Sequence, residues 1–133
     1  MKKDVTKLTT EQKVKLVMGV DCWNTCDLDG EIAKVRVSDG PVGVRMPLDP
    51  TDWSKGDAPA VAYPSTQMLA NTWNVDLAHK IGNAIVNDCI DYGVDIILGP
   101  AVNIKRLPTC GRNFEYFSED PYLAGVMARE YIN

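Results

Sequence analysis

Two stretches hold the residue types that could do chemistry. One is Cys110-Gly111-Arg112-Asn113-Phe114-Glu115-Tyr116-Phe117-Ser118-Glu119-Asp120-Pro121, dense in charge, aromatics and turn formers, and the other is the short Ser38-Asp39-Gly40-Pro41 segment. The Asp39 carboxylate only accepts hydrogen bonds, whereas the Arg112 guanidinium donates them from a planar fork. Together they suit a neutral, polyhydroxylated ligand, whose hydroxyls both donate and accept. Connections inside compact domains are ordinarily short, so a long, aromatic-rich one carrying Arg, Asn and Glu is expected of a site more than of a spacer.

Plainer roles fit the same residues. Asp39-Gly40-Pro41 also reads as a turn with no further task. Arg112 and Glu115 read equally as an ion pair inside the loop, and Glu119 and Asp120 as residues of a helix cap. Of Phe114, Tyr116 and Phe117, at least two are expected to pack the base of the loop rather than stack on a ligand. His79, the one histidine, lies in a strongly helical segment without a spaced partner. Cys22 and Cys26 are separated by three residues, and Cys89 and Cys110 fall in a helix and a distant loop, which is a poor zinc or redox pattern. No metal and no cofactor is expected.

The elements that must position Asp39 and Arg112 follow from patterning. Thr9-Thr10-Glu11-Gln12 reads as a capping box opening a helix, with Val14, Val17 and Met18 on one apolar face and Gly19 as the stop. Asp21 to Gly30, including Asn24, Asp27 and Asp29, reads as an irregular polar connection. Ile32, Ala33, Val35 and Val37 predict a strand ending near Val37, with Asp39 just past it. From Val42 to Pro64, repeated Pro and Gly predict a long loop, with Trp53 as its anchor.

Asn74 is expected to cap the longest helix, whose apolar face is Leu77, Ala78, Ile81, Ala84, Ile85 and Cys89, closed by Gly93. The run Val94-Asp95-Ile96-Ile97-Leu98-Gly99-Pro100 reads as a parallel strand covered on both faces. A helix leading into such a strand is the βαβ signature. Asp120 and Pro121 then open a last helix through Leu123, Val126 and Met127. In parallel α/β folds the loops after the strand ends gather on one face, so Asp39 and Arg112 are expected to share a pocket.

The chain's 133 residues, 45% of them hydrophobic, fit one domain with a core. A formal charge of -4, without runs of like charge, leaves no footprint for nucleic acid or an anionic membrane. The start, Met1 to Lys7, has no apolar segment after its basic residues, and a cytoplasmic location with reduced thiols is the default expectation. Two strands with three helices would leave strand edges unpaired, so the chain is expected to be truncated.

Four blocks resemble the family 3 glycoside hydrolases, chiefly β-glucosidases, in the N-terminal part of their first domain. They are Leu8 to Val14, Ser38 to Arg45, Tyr63-Pro64-Ser65 with Ala70 to Asn74, and Leu98 to Ile104 running into Cys110 to Pro121. The resemblance implies an α/β fold that is an incomplete N-terminal portion of a TIM-type (β/α)8 barrel over residues 1–133. It also implies a carbohydrate partner and hydrolysis, with retention, of terminal non-reducing β-D-glucosyl bonds.

Asp39 and Arg112 match the family's glycone-binding aspartate and arginine, and Arg45 is a further lining residue. The resemblance places the nucleophile aspartate, the acid/base glutamate and a Lys-His pair of the glycone pocket beyond Asn133. No catalytic residue is therefore expected in this chain, which by itself is expected to be inactive. A stand-alone sugar-binding or structural remnant is the alternative, and a thiol-dependent metal or redox module is a third.

Overall fold

A computed structural model describes residues 4–28 and 32–133. Met1 to Lys3, and Asp29 and Gly30 at the end of the expected polar connection, lie outside these ranges. Four helices, α1 (Thr10–Val17), α2 (Thr66–Asn71), α3 (Val75–Asp91) and α4 (Pro121–Ile132), accompany two strands, β1 (Val37–Asp39) and β2 (Ile96–Leu98). The strands are parallel, in register Val37 to Ile96, Ser38 to Ile97 and Asp39 to Leu98.

Helix boundaries follow local chemistry. The Thr9 hydroxyl accepts the Gln12 N–H at 3.2 Å while the Gln12 amide oxygen accepts the Thr9 N–H at 2.9 Å, completing the predicted capping box. Asn74 caps α3 through the Leu77 N–H at 3.0 Å. Asp120 caps α4 through the Tyr122 N–H at 2.9 Å, with Pro121 in the first turn, where its missing N–H costs nothing. Gly93, at φ +64°, ends α3 in the left-handed conformation that glycine adopts freely.

The core lies between the sheet and the α3/α4 pair. Ala78, Ile81, Ile85 and Cys89 of α3 meet Ala124, Met127, Ala128 and Tyr131 of α4, with Phe117 and Leu69 in the same cluster. Each large side chain fully buried there contributes about 2 kcal/mol. The two helices approach closely because Gly82 has no side chain: a Cβ there would stand 2.0 Å from the Tyr131 carbonyl oxygen.

Three expectations need correction. The first strand was expected over Ile32 to Val37 with Asp39 beyond it, yet β1 begins at Val37 and Asp39 is its last residue. The preceding backbone pairs instead with the segment at Trp23 to Thr25: Thr25 donates to Val35 at 3.0 Å, Val37 donates to Trp23 at 2.7 Å, and Asn24 bridges Arg36. Only residues 37–39 remain to meet β2. The second strand is not covered on both faces. Ile97 packs on the core, but Ile96 and Leu98 are 50% and 58% exposed, because α3 and α4 shield only one side. The apolar face expected of α1 is likewise exposed at Val14, Val17 and Met18.

Helix α2 has no counterpart among the sequence expectations. Ser65 caps it through the Met68 N–H at 3.3 Å, and Leu69 and Ala70 bury its inner face.

Candidate functional site

Asp39 ends β1, and the turn that follows is over-determined. Its carboxylate accepts the Gly40 N–H at 3.0 Å, and its carbonyl accepts the Arg45 N–H at 3.0 Å. Gly40 has φ +136°, and a Cβ there would lie 1.7 Å from the Gly43 carbonyl oxygen, so the turn admits only glycine. Ser38, fully buried, donates its hydroxyl to the carbonyls of Arg45 at 2.6 Å and Asp39 at 2.9 Å.

Two further supports come from the other half of the fold. Tyr131 of α4 donates to the Pro41 carbonyl at 3.1 Å. Gly99, immediately after β2, lies so close that a Cβ would be 3.1 Å from the Pro41 Cα, and the Gly99–Pro100 peptide is cis. The Asp39 side chain, by contrast, is exposed. The backbone is fixed and the carboxylate is presented.

Arg112 stands in the loop after β2, heading the 3-10 turn Asn113–Glu115. The loop is tied back on itself: Ala101 bridges Tyr116, Lys105 donates to Ser118 at 3.2 Å, and the Asn113 amide donates to Leu107 at 2.8 Å. Tyr116 and Phe117 are buried, Phe117 edge-on to Tyr131 at 6.1 Å, while Phe114 is exposed. Two of the three aromatics therefore pack the loop base, as expected.

Glu115 is buried and pairs with the Arg112 Nε, so the expected ion pair is present; the Glu115 side chain is 8% exposed and that of Arg112 72%. The bond to Glu115 and its charge hold the Arg112 guanidinium above its ordinary value, and Tyr116 adds to this. Asp39 thus ends one strand of the parallel pair, and Arg112, anchored by Glu115, stands in the loop that follows the other.

Arg45 is placed differently. Its guanidinium points to Asp57, with Nε 3.0 Å from the Asp57 Oδ2, and lies over the Trp53 ring at 5.1 Å. Its hydrogen bond to Asp39 runs through the backbone. Trp53, the expected loop anchor, rests tilted on Trp23 with ring centres 5.7 Å apart.

A concavity of about 470 Å³ lined by Ile104, Leu107, Cys110 and Tyr116, among others, excludes Asp39, Arg112 and Arg45. Among the described residues no cluster of three or more His, Cys, Asp or Glu could hold a metal ion, and the four cysteines are free. Burial, reinforced by Asp88, pushes the Cys89 thiol up. No helix among these residues is long and apolar enough to cross a membrane.

Sequence reasoning missed Asp57 and Trp23 as partners of the Arg45 region. Their connection depends on how residues 46–58 fold back, and spacing carries no signal of that.

Comparison with known proteins gives concordant results. The chain is 39% identical over 135 residues to thermostable β-glucosidase B of Acetivibrio thermocellus, covering 99% of this chain and 18% of that protein. It is 44% identical over 126 residues to an exo-α-(1→6)-L-arabinopyranosidase of Bifidobacterium longum, covering 91% of this chain and 16% of that one. The chain therefore spans a small part of the length of these relatives.

Among solved structures, β-glucosidase 3B from Thermotoga neapolitana in complex with glucose superposes with a TM-score of 0.83 at 38% identity, covering 96% of this chain and 20% of that one. The β-glucosidase from Kluyveromyces marxianus in complex with glucose gives 0.85 at 36%, covering 96% and 15%. The α/β layout is that of an N-terminal portion of a TIM-type (β/α)8 barrel, as in these enzymes. The model of the glycosyl hydrolase family 3 N terminal domain matches residues 2–133, and the chain belongs to that family.

Proposed function

We propose that this chain supplies part of the glycone-binding subsite of a retaining, β-glucosidase-like glycoside hydrolase acting on terminal non-reducing β-D-glucosyl bonds. The observation that carries the proposal is Asp39 at the end of β1 together with Arg112, anchored by the buried Glu115, in the loop that follows the adjacent parallel strand β2. Asp39 accepts from sugar hydroxyls and Arg112 donates to them. With Glu115 offsetting the charge of Arg112, the pair favours an uncharged polyol over an anion.

Retaining hydrolysis needs two carboxyl groups about 5 Å apart across the scissile bond. The proposed division of labour has Asp39 and Arg112 hold the sugar while carboxylates following Asn133 cleave it. Family membership supports the reaction class, and the names of the relatives rank β-glucosides first for testing and α-L-arabinopyranosides second. The open sheet face at Ile96 and Leu98 speaks against a free-standing sugar-binding module, since such a module would leave apolar strand residues in water.

The test is hydrolysis of an aryl β-D-glucoside by the 133-residue chain and by the full-length gene product. The full-length product is expected to turn it over and the short chain is not. Turnover by the short chain would show that the division of labour is wrong.

A further inference from the structure

The concavity in the loop after β2 is built on a fixed backbone. One wall comes from the segment Asn103 to Leu107 and the other from Cys110 to Tyr116. The walls are tied at one end by the bridge between Ala101 and Tyr116 and by the Lys105 N–H, which donates to Ser118 at 3.2 Å. At the other end the Leu107 carbonyl accepts the Cys110 N–H at 3.1 Å and the Asn113 amide at 2.8 Å. A ligand entering here meets a shape that already exists, so little ordering of the loop opposes its binding.

The volume of about 470 Å³ is that of a small-molecule site. Ile104 and Leu107 give it apolar wall, and the Cys110 thiol adds a weakly polar patch. Arg106 is the only charged residue lining it. Among the described residues the Arg106 guanidinium makes no hydrogen bond or ion pair, and the Asn103 amide group has no partner either. Tyr116 is only 9% exposed, yet its phenol makes no hydrogen bond to the described residues. Side-chain hydroxyls so largely buried are ordinarily satisfied. Three unengaged polar side chains thus line one apolar-walled hollow.

The charge balance says what would suit them. No carboxylate lines the hollow, so nothing on its walls offsets Arg106. A guanidinium grips a carboxylate through two parallel N–H donors, and one positive charge balances one negative. A doubly charged phosphate monoester would leave a charge over against apolar walls, which is costly.

We propose that this concavity is a binding site for an organic monocarboxylate with an apolar body. Arg106 takes the carboxylate, the Tyr116 hydroxyl and the Asn103 amide add hydrogen bonds, and Ile104 and Leu107 cover the body. The proposal does not rest on the glycone-binding role of Asp39 and Arg112.

The experiment follows alkylation of Cys110 by neutral iodoacetamide in the full-length protein, resolved by peptide mass spectrometry. Cys22, exposed and outside the concavity, is the internal reference. The probes are 3-phenylpropionate, its neutral analogue 3-phenylpropanol and its cationic analogue 3-phenylpropylamine. At roughly 10 mM, 3-phenylpropionate is expected to slow Cys110 at least about threefold and to leave Cys22 unchanged. The alcohol is expected to protect less, and the amine not at all.

Arg106→Gln is expected to weaken 3-phenylpropionate about five- to tenfold, down to the level of the alcohol, and Tyr116→Phe to weaken it about two- to threefold. Arg106 is exposed, so its variant keeps the fold, which an unchanged thermal midpoint verifies. Unaltered alkylation of Cys110 in the presence of 3-phenylpropionate would overturn the proposal. So would equal protection by the amine, or protection that survives Arg106→Gln undiminished. A Cys110 that fails to react in the unliganded full-length protein would overturn the open concavity itself.

Discussion

Gly82→Ala and Gly125→Ala are the same chemical change on neighbouring helices, and the structure gives them opposite signs. At Gly82 in α3 the new Cβ would meet the Tyr131 carbonyl oxygen at 2.0 Å and its carbon at 2.9 Å. Reaching ordinary contact requires α4 to retreat by roughly 1.5 Å. Overpacking of this kind costs about 3 kcal/mol at its upper range, and the better helix propensity of alanine returns about 1 kcal/mol. The net loss is about 2 kcal/mol, equivalent to a fall in melting temperature of roughly 8 °C for a chain of this size.

At Gly125 in α4 a Cβ meets nothing within 4 Å, so only the propensity gain remains, about 0.5–1 kcal/mol in favour of alanine. The assay is urea and thermal unfolding of both variants beside the parent. A Gly82→Ala protein as stable as the parent would refute the close packing of α3 on α4, and with it the route by which Tyr131 braces the Asp39 turn.

Two further outcomes are expected. Ser38→Ala removes the hydroxyl that satisfies the Arg45 carbonyl in a fully buried position, and should cost about 1–3 kcal/mol in urea unfolding while weakening glucoside binding through the displaced turn. Tyr131→Phe loses the bond to Pro41, at about 0.5–1.5 kcal/mol, and it also changes the response to alkali. Burial, reinforced by Cys89 and Tyr63, pushes the Tyr131 phenol up to about 12, from its ordinary 10.0. The folded state therefore keeps a proton that the unfolded chain releases, so stability is full below pH 10.0 and declines towards pH 12. Urea midpoints measured across that interval should show a shallower decline in Tyr131→Phe, the remainder including Tyr63, which is raised by burial and by its bond to Asp88.

The helix caps at Thr9, Asn74 and Asp120 were legible in the sequence because each is settled within a single turn by a side chain and a nearby N–H. The apolar stripe of α3 was legible for a similar reason, since its period of three and four residues places Ala78, Ile81, Ile85 and Cys89 on one face. The start of β1 was not. Residues 32–36 have the composition of a strand, and what separates them from residues 37–39 is a distant partner, the backbone at Trp23 to Thr25. Helix α2 was not legible either: at six residues it is too short to show a period.

In the site, patterning was enough to put Asp39 at the end of β1 and Arg112 in the loop after β2, and i,i+3 spacing was enough to pair Arg112 with Glu115. The surroundings of Arg45 depend on the register of the 46–58 excursion. No local pattern in Met46 to Ala58 encodes that Asp57 returns beside it.

The measurement closest to the central claim is kcat/KM of Arg112→Ala in the full-length protein on an aryl β-D-glucoside. A site built to hydrogen-bond a substrate hydroxyl loses heavily when the donor is removed, and a fall of at least about a hundredfold is expected. Glu115 would also be left buried without its partner. A variant whose kcat/KM stays within about twofold of the parent would contradict the claim that Arg112 holds the sugar.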